Sequence, residues 1–127
     1  MRCLASVLLL LAGLNACHKD VPDAEQKKVA GGTARVGRAL VAGGTYGCTS
    51  CHAIPGMRGR PGVAGPPLEG FARRAFIAGE LANTPQNLVG FLHDPPALIP
   101  RTGMPDVRLS FADARDVAAF LYTLEPR

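Results

Sequence analysis

Cys48-Thr49-Ser50-Cys51-His52 is the stretch from which the rest of the chain is read. Two cysteines separated by two residues and followed at once by a histidine form the attachment signature of a c-type haem. Each thiol can add to one vinyl group, and the histidine is then held under the macrocycle as proximal iron ligand. A redox disulfide suits any C-x-x-C, and zinc suits many Cys/His clusters. A structural zinc site wants four ligands, however, and the body of the chain offers no second cysteine pair. One covalent haem is the reading that the remaining residues favour.

With 127 residues the chain has the length of one domain. Aromatic residues make up only 6% of it, there is no Trp, and 15 Gly and 11 Pro put much of the backbone in turns. A core of protein side chains alone would be thin, and a buried haem would complete it. Of the four cysteines, Cys3 and Cys17 lie in or just after an N-terminal leader, so no structural disulfide is left for the body. The net charge of +4 becomes +3 without Arg2 (14 less 1 basic against 10 acidic). No Lys/Arg tract or aromatic-interleaved basic patch suggests nucleic acid.

Residues 1–16 read as a secretory signal, with Arg2 before the apolar run Leu4 to Leu14. That run is too short to span a bilayer. Leu14-Asn15-Ala16-Cys17 resembles a bacterial lipoprotein cleavage site, which makes Cys17 the expected lipidated first residue of the mature protein. The alternative is ordinary secretory cleavage that leaves a free thiol. Acyl chains contribute about 0.8 kcal/mol per buried methylene, so a multiply acylated Cys17 would anchor the domain stably to a membrane. Residues 17–32 are polar and mixed in charge, and read as a flexible tether. His18, within it, reads as a solvated histidine. The folded domain is expected over residues 33–127.

Within that domain, Thr33 is expected to cap a helix over residues 33–43 that carries Val36, Ala39, Leu40 and Gly43 on one face and stops at Gly43-Gly44. Gly37, costly in a helix interior, suggests close crossing by another helix. Residues 53–67 are a Gly/Pro-rich loop wrapping the His52 side. Gly65-Pro66-Pro67-Leu68 is the part placed nearest the imidazole, where a proline carbonyl can accept its N–H and raise its basicity; the alternative is a plain turn. Phe71 to Leu81 is expected as a short helix or turn. Arg73 or Arg74 could pair with a propionate there, although solvated surface arginines are commoner. Thr84 caps a helix with Pro85 first and Leu88, Val89, Phe91 and Leu92 inward. That helix ends at His93, which reads as a surface histidine favoured by the helix dipole rather than a ligand. Residues 95–105 are expected to be irregular and carry Met104, the candidate sixth ligand. Met57 stands too close to His52 to reach the opposite haem face. Ser110 caps the last helix, with Asp113 three residues on and Val117, Phe120, Leu121 and Leu124 along its apolar face.

Together, the helix, Cys48-x-x-Cys51-His52, Gly65-Pro66-x-Leu68, the Met104-Pro105 loop and a terminal helix ending Phe120-Leu121-Tyr122 resemble a class I, monohaem cytochrome c over roughly residues 33–125. The resemblance implies an all-α cytochrome c fold: three to five short helices and Gly/Pro-rich loops around one covalent haem c. It implies thioethers at Cys48 and Cys51, iron ligation by His52 and Met104, and a Pro66 carbonyl accepting from His52. In similar sequences an aromatic hydroxyl often stands where this chain has Phe76, so Phe76 is not expected to make that propionate contact. Asn83-Thr84-Pro85-x-Asn87-Leu88, Asp94-Pro95 and Met104-Pro105-Asp106 are similar to bacterial members encoded beside, or fused to, terminal oxidase subunits.

The implied role is that of a one-electron carrier on the periplasmic side of a bacterial membrane, not an enzyme. Its expected partners are a terminal oxidase and a quinol-oxidising complex, with no small-molecule substrate. Arg58, Arg60 and Arg101 could form a basic rim toward an acidic partner. Alternatives are a haem subunit of a dehydrogenase complex, and a peroxidase or gas sensor with a labile sixth ligand; no distal His/Arg pair suggests the latter two.

Overall fold

The computed structural model describes residues 27–126. The expected leader, Cys17 and His18 lie outside the described residues. Five short helices dominate: α1 (Ala34–Ala42), α2 (Cys48–Cys51), α3 (Pro85–His93), α4 (Pro95–Leu98) and α5 (Phe111–Leu121). No helix among the described residues is long and apolar enough to cross a membrane.

α1 packs most extensively on α5, and α3 lies against both α5 and α4. The α1–α5 crossing depends on a glycine. A Cβ built on Gly37 would stand 1.9 Å from the Asp116 carbonyl oxygen of α5, so any side chain there must push the helices apart. The buried line of α1 is Gly37 and Val41. Val36 and Leu40 are half-buried, whereas Ala39 and Gly43, expected on the same face, are exposed because the close approach at Gly37 sets the helix's rotation.

The caps follow local chemistry with one exception. Thr84 accepts from the Asn87 N–H (3.3 Å), and Ser110 accepts from the Asp113 N–H (3.1 Å). Thr33 occupies the N-cap position of α1 but makes no side-chain cap. Its own N–H instead donates to Asp116 Oδ1 at 2.7 Å, a partner 83 residues away.

Two segments differ from their sequence-based reading. Over residues 71–82 there is one turn of 3-10 helix, Phe71–Arg73. A small antiparallel hairpin follows, β1 (Phe76–Ile77) pairing with β2 (Leu81–Ala82), Ile77 opposite Leu81. Ala78 (φ +48°) and Gly79 (φ +78°) are both left-handed, which suits a primed hairpin turn. Short apolar runs such as Phe76-Ile77 carry no periodicity that separates helix from strand. Within residues 95–105, Pro95–Leu98 form a helical turn, because Asp94 Oδ1 accepts from the Ala97 N–H (3.1 Å) and prolines suit a first turn.

Residues 27–32, expected within the tether, pack on the domain. Val29 is buried. Lys27 Nζ donates to the carbonyls of Ala72 and Arg74 and lies 5.6 Å from the Tyr122 ring centroid. Burial lowers the Lys27 pKa. Nearby, Asn83 donates to the carbonyls of Phe71 (3.2 Å) and Arg74 (2.9 Å) and accepts from Tyr122 Oη (2.9 Å). This polar knot holds the 3-10 turn against the C-terminal end of α5.

Gly37→Ala would add about 1 kcal/mol of helix propensity. The collision with the α5 backbone outweighs it, and overpacking of this kind costs about 1–3 kcal/mol. A lower thermal midpoint for the haem-loaded variant is expected by circular dichroism; an equal or higher midpoint would contradict the crossing.

Candidate functional site

A cavity of about 690 Å³ opens in the middle of the domain. Core residues from three helices form its walls: Val41 of α1, Leu88, Phe91 and Leu92 of α3, and Val117 and Leu121 of α5. The volume lies in the usual range of cofactor sites, roughly 300–1,000 Å³. Cys48, Cys51, His52, Pro66 and Met104 all line it.

Gly47, left-handed at φ +65°, leads the chain into the single turn α2, which carries both cysteines. The backbone then straightens at His52 (φ −111°, ψ 139°). His52 Nδ1 lies 2.7 Å from the Pro66 carbonyl oxygen. A carbonyl can only accept, so Nδ1 carries the proton, and in the neutral ring Nε2 keeps its lone pair. Two glycines allow the loop to come this close. A Cβ on Gly65 would stand 2.4 Å from His52 Cε1, and one on Gly62 would stand 2.5 Å from the Cys51 carbonyl carbon. Backbone bonds from Gly65 N–H to Cys51 O and from Leu68 N–H to Ala53 O, both 2.8 Å, lock the loop beside α2.

Met104 reaches the cavity from the opposite part of the sequence. It is half-buried, and its N–H donates to Thr102 Oγ1 at 3.2 Å. Met57 is also half-buried but lines a separate cleft of about 310 Å³, with Arg58 and Arg60. His93 does not line the main cavity: its Nδ1 lies 2.7 Å from the Leu109 carbonyl, and its ring stacks on Phe111.

The two arginines of the Phe71 segment part company. Arg73 is exposed and pairs with Glu125 at 3.3 Å. Arg74 lines the cavity, donates to the carbonyls of Pro67 and Glu69, and lies 5.6 Å from the Phe71 ring centroid. It therefore braces the backbone immediately after Pro66. Phe76 also lines the cavity, although half of its surface is exposed.

Tyr46 is a cavity residue with no signal in the sequence. Its hydroxyl donates to Asp113 Oδ2 at 2.5 Å, and Ser110 Oγ donates to the same oxygen at 2.9 Å. Asp113 thus serves both as part of the α5 cap and as a tie between α5 and the segment before Cys48. A lone tyrosine in a Gly-rich connection carries no periodicity, and its partner is 67 residues away. The bond to Asp113 raises the Tyr46 pKa, with burial and the Asp113 charge acting the same way. Burial also raises the Tyr122 pKa and pushes the Cys48 thiol up.

Among the described residues, no three His, Cys, Asp or Glu side chains converge to hold a metal ion directly. Two unbridged thiols in one helical turn, one imidazole lone pair, one thioether and apolar walls instead fit an iron macrocycle bonded through its edge. The cytochrome c family model matches residues 34–125. This chain belongs to the cytochrome c family. No curated protein matches the sequence at a significant level. Among the described residues, the five helices and the small hairpin are those of an all-α cytochrome c fold. The cytochrome takes one covalently attached haem c, and its function is haem-based electron transfer.

The two raised tyrosine pKa values favour the protonated side chains in the folded cytochrome. Their contribution to stability is complete below the ordinary tyrosine pKa of about 10 and is lost as pH rises through it toward the folded values. The urea midpoint is expected to fall less steeply above about pH 10 in Tyr46→Phe than in the unaltered protein. Parallel curves would mean that the Tyr46–Asp113 bond adds nothing.

Proposed function

We propose that this cytochrome passes single electrons along a bacterial respiratory chain, with its iron held between His52 and Met104. The observation that carries the reading is a convergence on one cavity. His52, whose Nδ1 is committed to the Pro66 carbonyl, and Met104 line the same space, whereas Met57 and His93 do not.

Bound haem supplies an iron that alternates between ferric and ferrous states. Cys48 and Cys51 would hold the group through thioethers. The Pro66 carbonyl orients the imidazole and raises its basicity, so Nε2 is the stronger donor. A Met104 thioether on the iron would favour the ferrous state and raise the potential. His52 and Met104 together would leave the iron no position for a substrate, which suits a carrier rather than an enzyme.

The N-terminal sequence supports a setting at a membrane. Residues 1–16 would export the chain, and a lipid on Cys17 would hold it on the periplasmic side of a membrane, with residues that follow serving as tether. Electrons would pass from a quinol-oxidising complex to a terminal oxidase. Arg58, Arg60 and Arg101 are exposed, Arg101 on the haem cavity and the other two on the cleft beside His52. A basic rim in that place would steer an acidic partner, more strongly at low salt.

Two experiments test this reading. The oxidised protein is expected to show a weak far-red sulfur-to-iron band, and the reduced protein to ignore carbon monoxide; Met104→Ala should lose the band and bind carbon monoxide. Prompt carbon monoxide binding by the unaltered protein would point instead to a peroxidase or gas sensor. Replacing Arg58, Arg60 and Arg101 with Glu should lower the rate of electron transfer to an acidic redox partner at low salt and flatten its salt dependence. An unchanged salt dependence would remove the rim from the account.

A further inference from the structure

The segment that carries Met104 is sparsely tied. Between residues 103 and 109, two of its hydrogen bonds stay local: Met104 N–H to Thr102 Oγ1, and Arg108 N–H to Asp106 Oδ1 at 2.7 Å. Among the described residues, the hydrogen bond that links this segment to another element is a single one, from His93 to the Leu109 carbonyl, at 2.7 Å. Leu109 is itself buried and lines the haem cavity, so that carbonyl sits where the loop meets the cavity wall.

The histidine is held in place for this role. It is the last residue of α3, and its ring stacks on Phe111, the first residue of α5, at 3.8 Å between centroids and 27° between planes. That stack accounts for Phe111, a large apolar residue left half exposed. Because the Leu109 carbonyl only accepts, Nδ1 must donate, and the ring is fixed both in orientation and in tautomer. One side chain therefore joins the end of α3, the end of the Met104 loop and the start of α5.

We propose that His93 is a positioning residue for the sixth-ligand loop: its bond to Leu109 holds Met104 at the cavity and so disfavours its replacement by an external ligand. The proposal rests on the reading of Met104 as an iron ligand. Without the bond, the loop from 103 to 109 keeps the packing of Val107 and Leu109 but no hydrogen bond to a neighbouring element, and its open forms become more populated.

Two variants of the full-length, haem-loaded protein separate the bond from the stack. His93→Phe keeps an aromatic ring against Phe111 and removes the donor. His93→Asn restores an N–H at the same distance along the side chain and removes the ring. The oxidised proteins are titrated with imidazole, followed by loss of the far-red band, and amide hydrogen exchange is read over residues 103–109. For His93→Phe, apparent imidazole affinity and exchange rate should each rise roughly three- to tenfold, the weight of one ordinary hydrogen bond. His93→Asn should lie near the unaltered protein in both. Should the Phe variant fail to fold, His93→Ala against His93→Asn gives the same comparison. Unchanged imidazole affinity in the variant lacking the donor overturns the positioning role, with or without faster exchange. Failure of the ligand assignment shows separately, as an oxidised spectrum that Met104→Ala leaves intact.

Discussion

The side chains that hold this chain together are also the walls of its haem cavity. Val41, Leu88, Phe91, Leu92, Val117 and Leu121 belong to the buried core and line the central space as well. A sequence with few aromatics and no Trp has little material with which to fill that space. Apolar walls left in contact with water forfeit the burial that stabilises a small domain, at about 25 cal/mol for each Å². The cofactor is thus a structural component as much as a redox one, and its binding stabilises the fold that holds it.

Around that space the two faces are built differently. On the His52 side, the Pro66 bond, the close passes at Gly62 and Gly65, and the grip of Arg74 on the Pro67 and Glu69 carbonyls leave the loop little freedom. On the Met104 side, the backbone between Thr102 and Ser110 relies on local turns, on apolar packing of Val107 and Leu109, and on the one bond from His93 to the Leu109 carbonyl. Under the proposed assignment of His52 and Met104 to the iron, a rigid imidazole side and a lightly tied thioether side are a reasonable division of labour. The histidine would have to be oriented by the protein, whereas a flexible thioether could adjust to the metal.

Features written in local chemistry were legible in the chain itself. Cys48-x-x-Cys51-His52 needs only its spacing; Thr84-Pro85 and Ser110-x-x-Asp113 are caps whose partners lie within three residues. The inward faces of α3 and α5 follow from helical periodicity. Gly37 marked itself by its cost, and the Asp116 carbonyl beside it explains that cost. Illegible features were those whose partners are remote. Thr33 donates to Asp116, Tyr46 to Asp113, and Lys27 to Ala72 and Arg74, and each acquires its role only when α5 or the 3-10 turn arrives beside it. The hairpin at Phe76–Ala82 and the helical turn at Pro95–Leu98 were missed for the opposite reason: both are too short for periodicity to mark them.

By itself, then, the sequence determined the cofactor class, the helices long enough to show a period, and a short list of ligand candidates, since all of these rest on residue types at fixed short spacings. Only the tertiary structure decided which candidates meet. It brought Met104 to the cavity and put Met57 in another cleft, set Arg74 at the wall and Arg73 in solvent, and turned His93 from a surface histidine into a clasp on Leu109. The physical reason is that these choices depend on how α1, α3 and α5 cross, and a crossing is fixed by contacts between residues tens of positions apart.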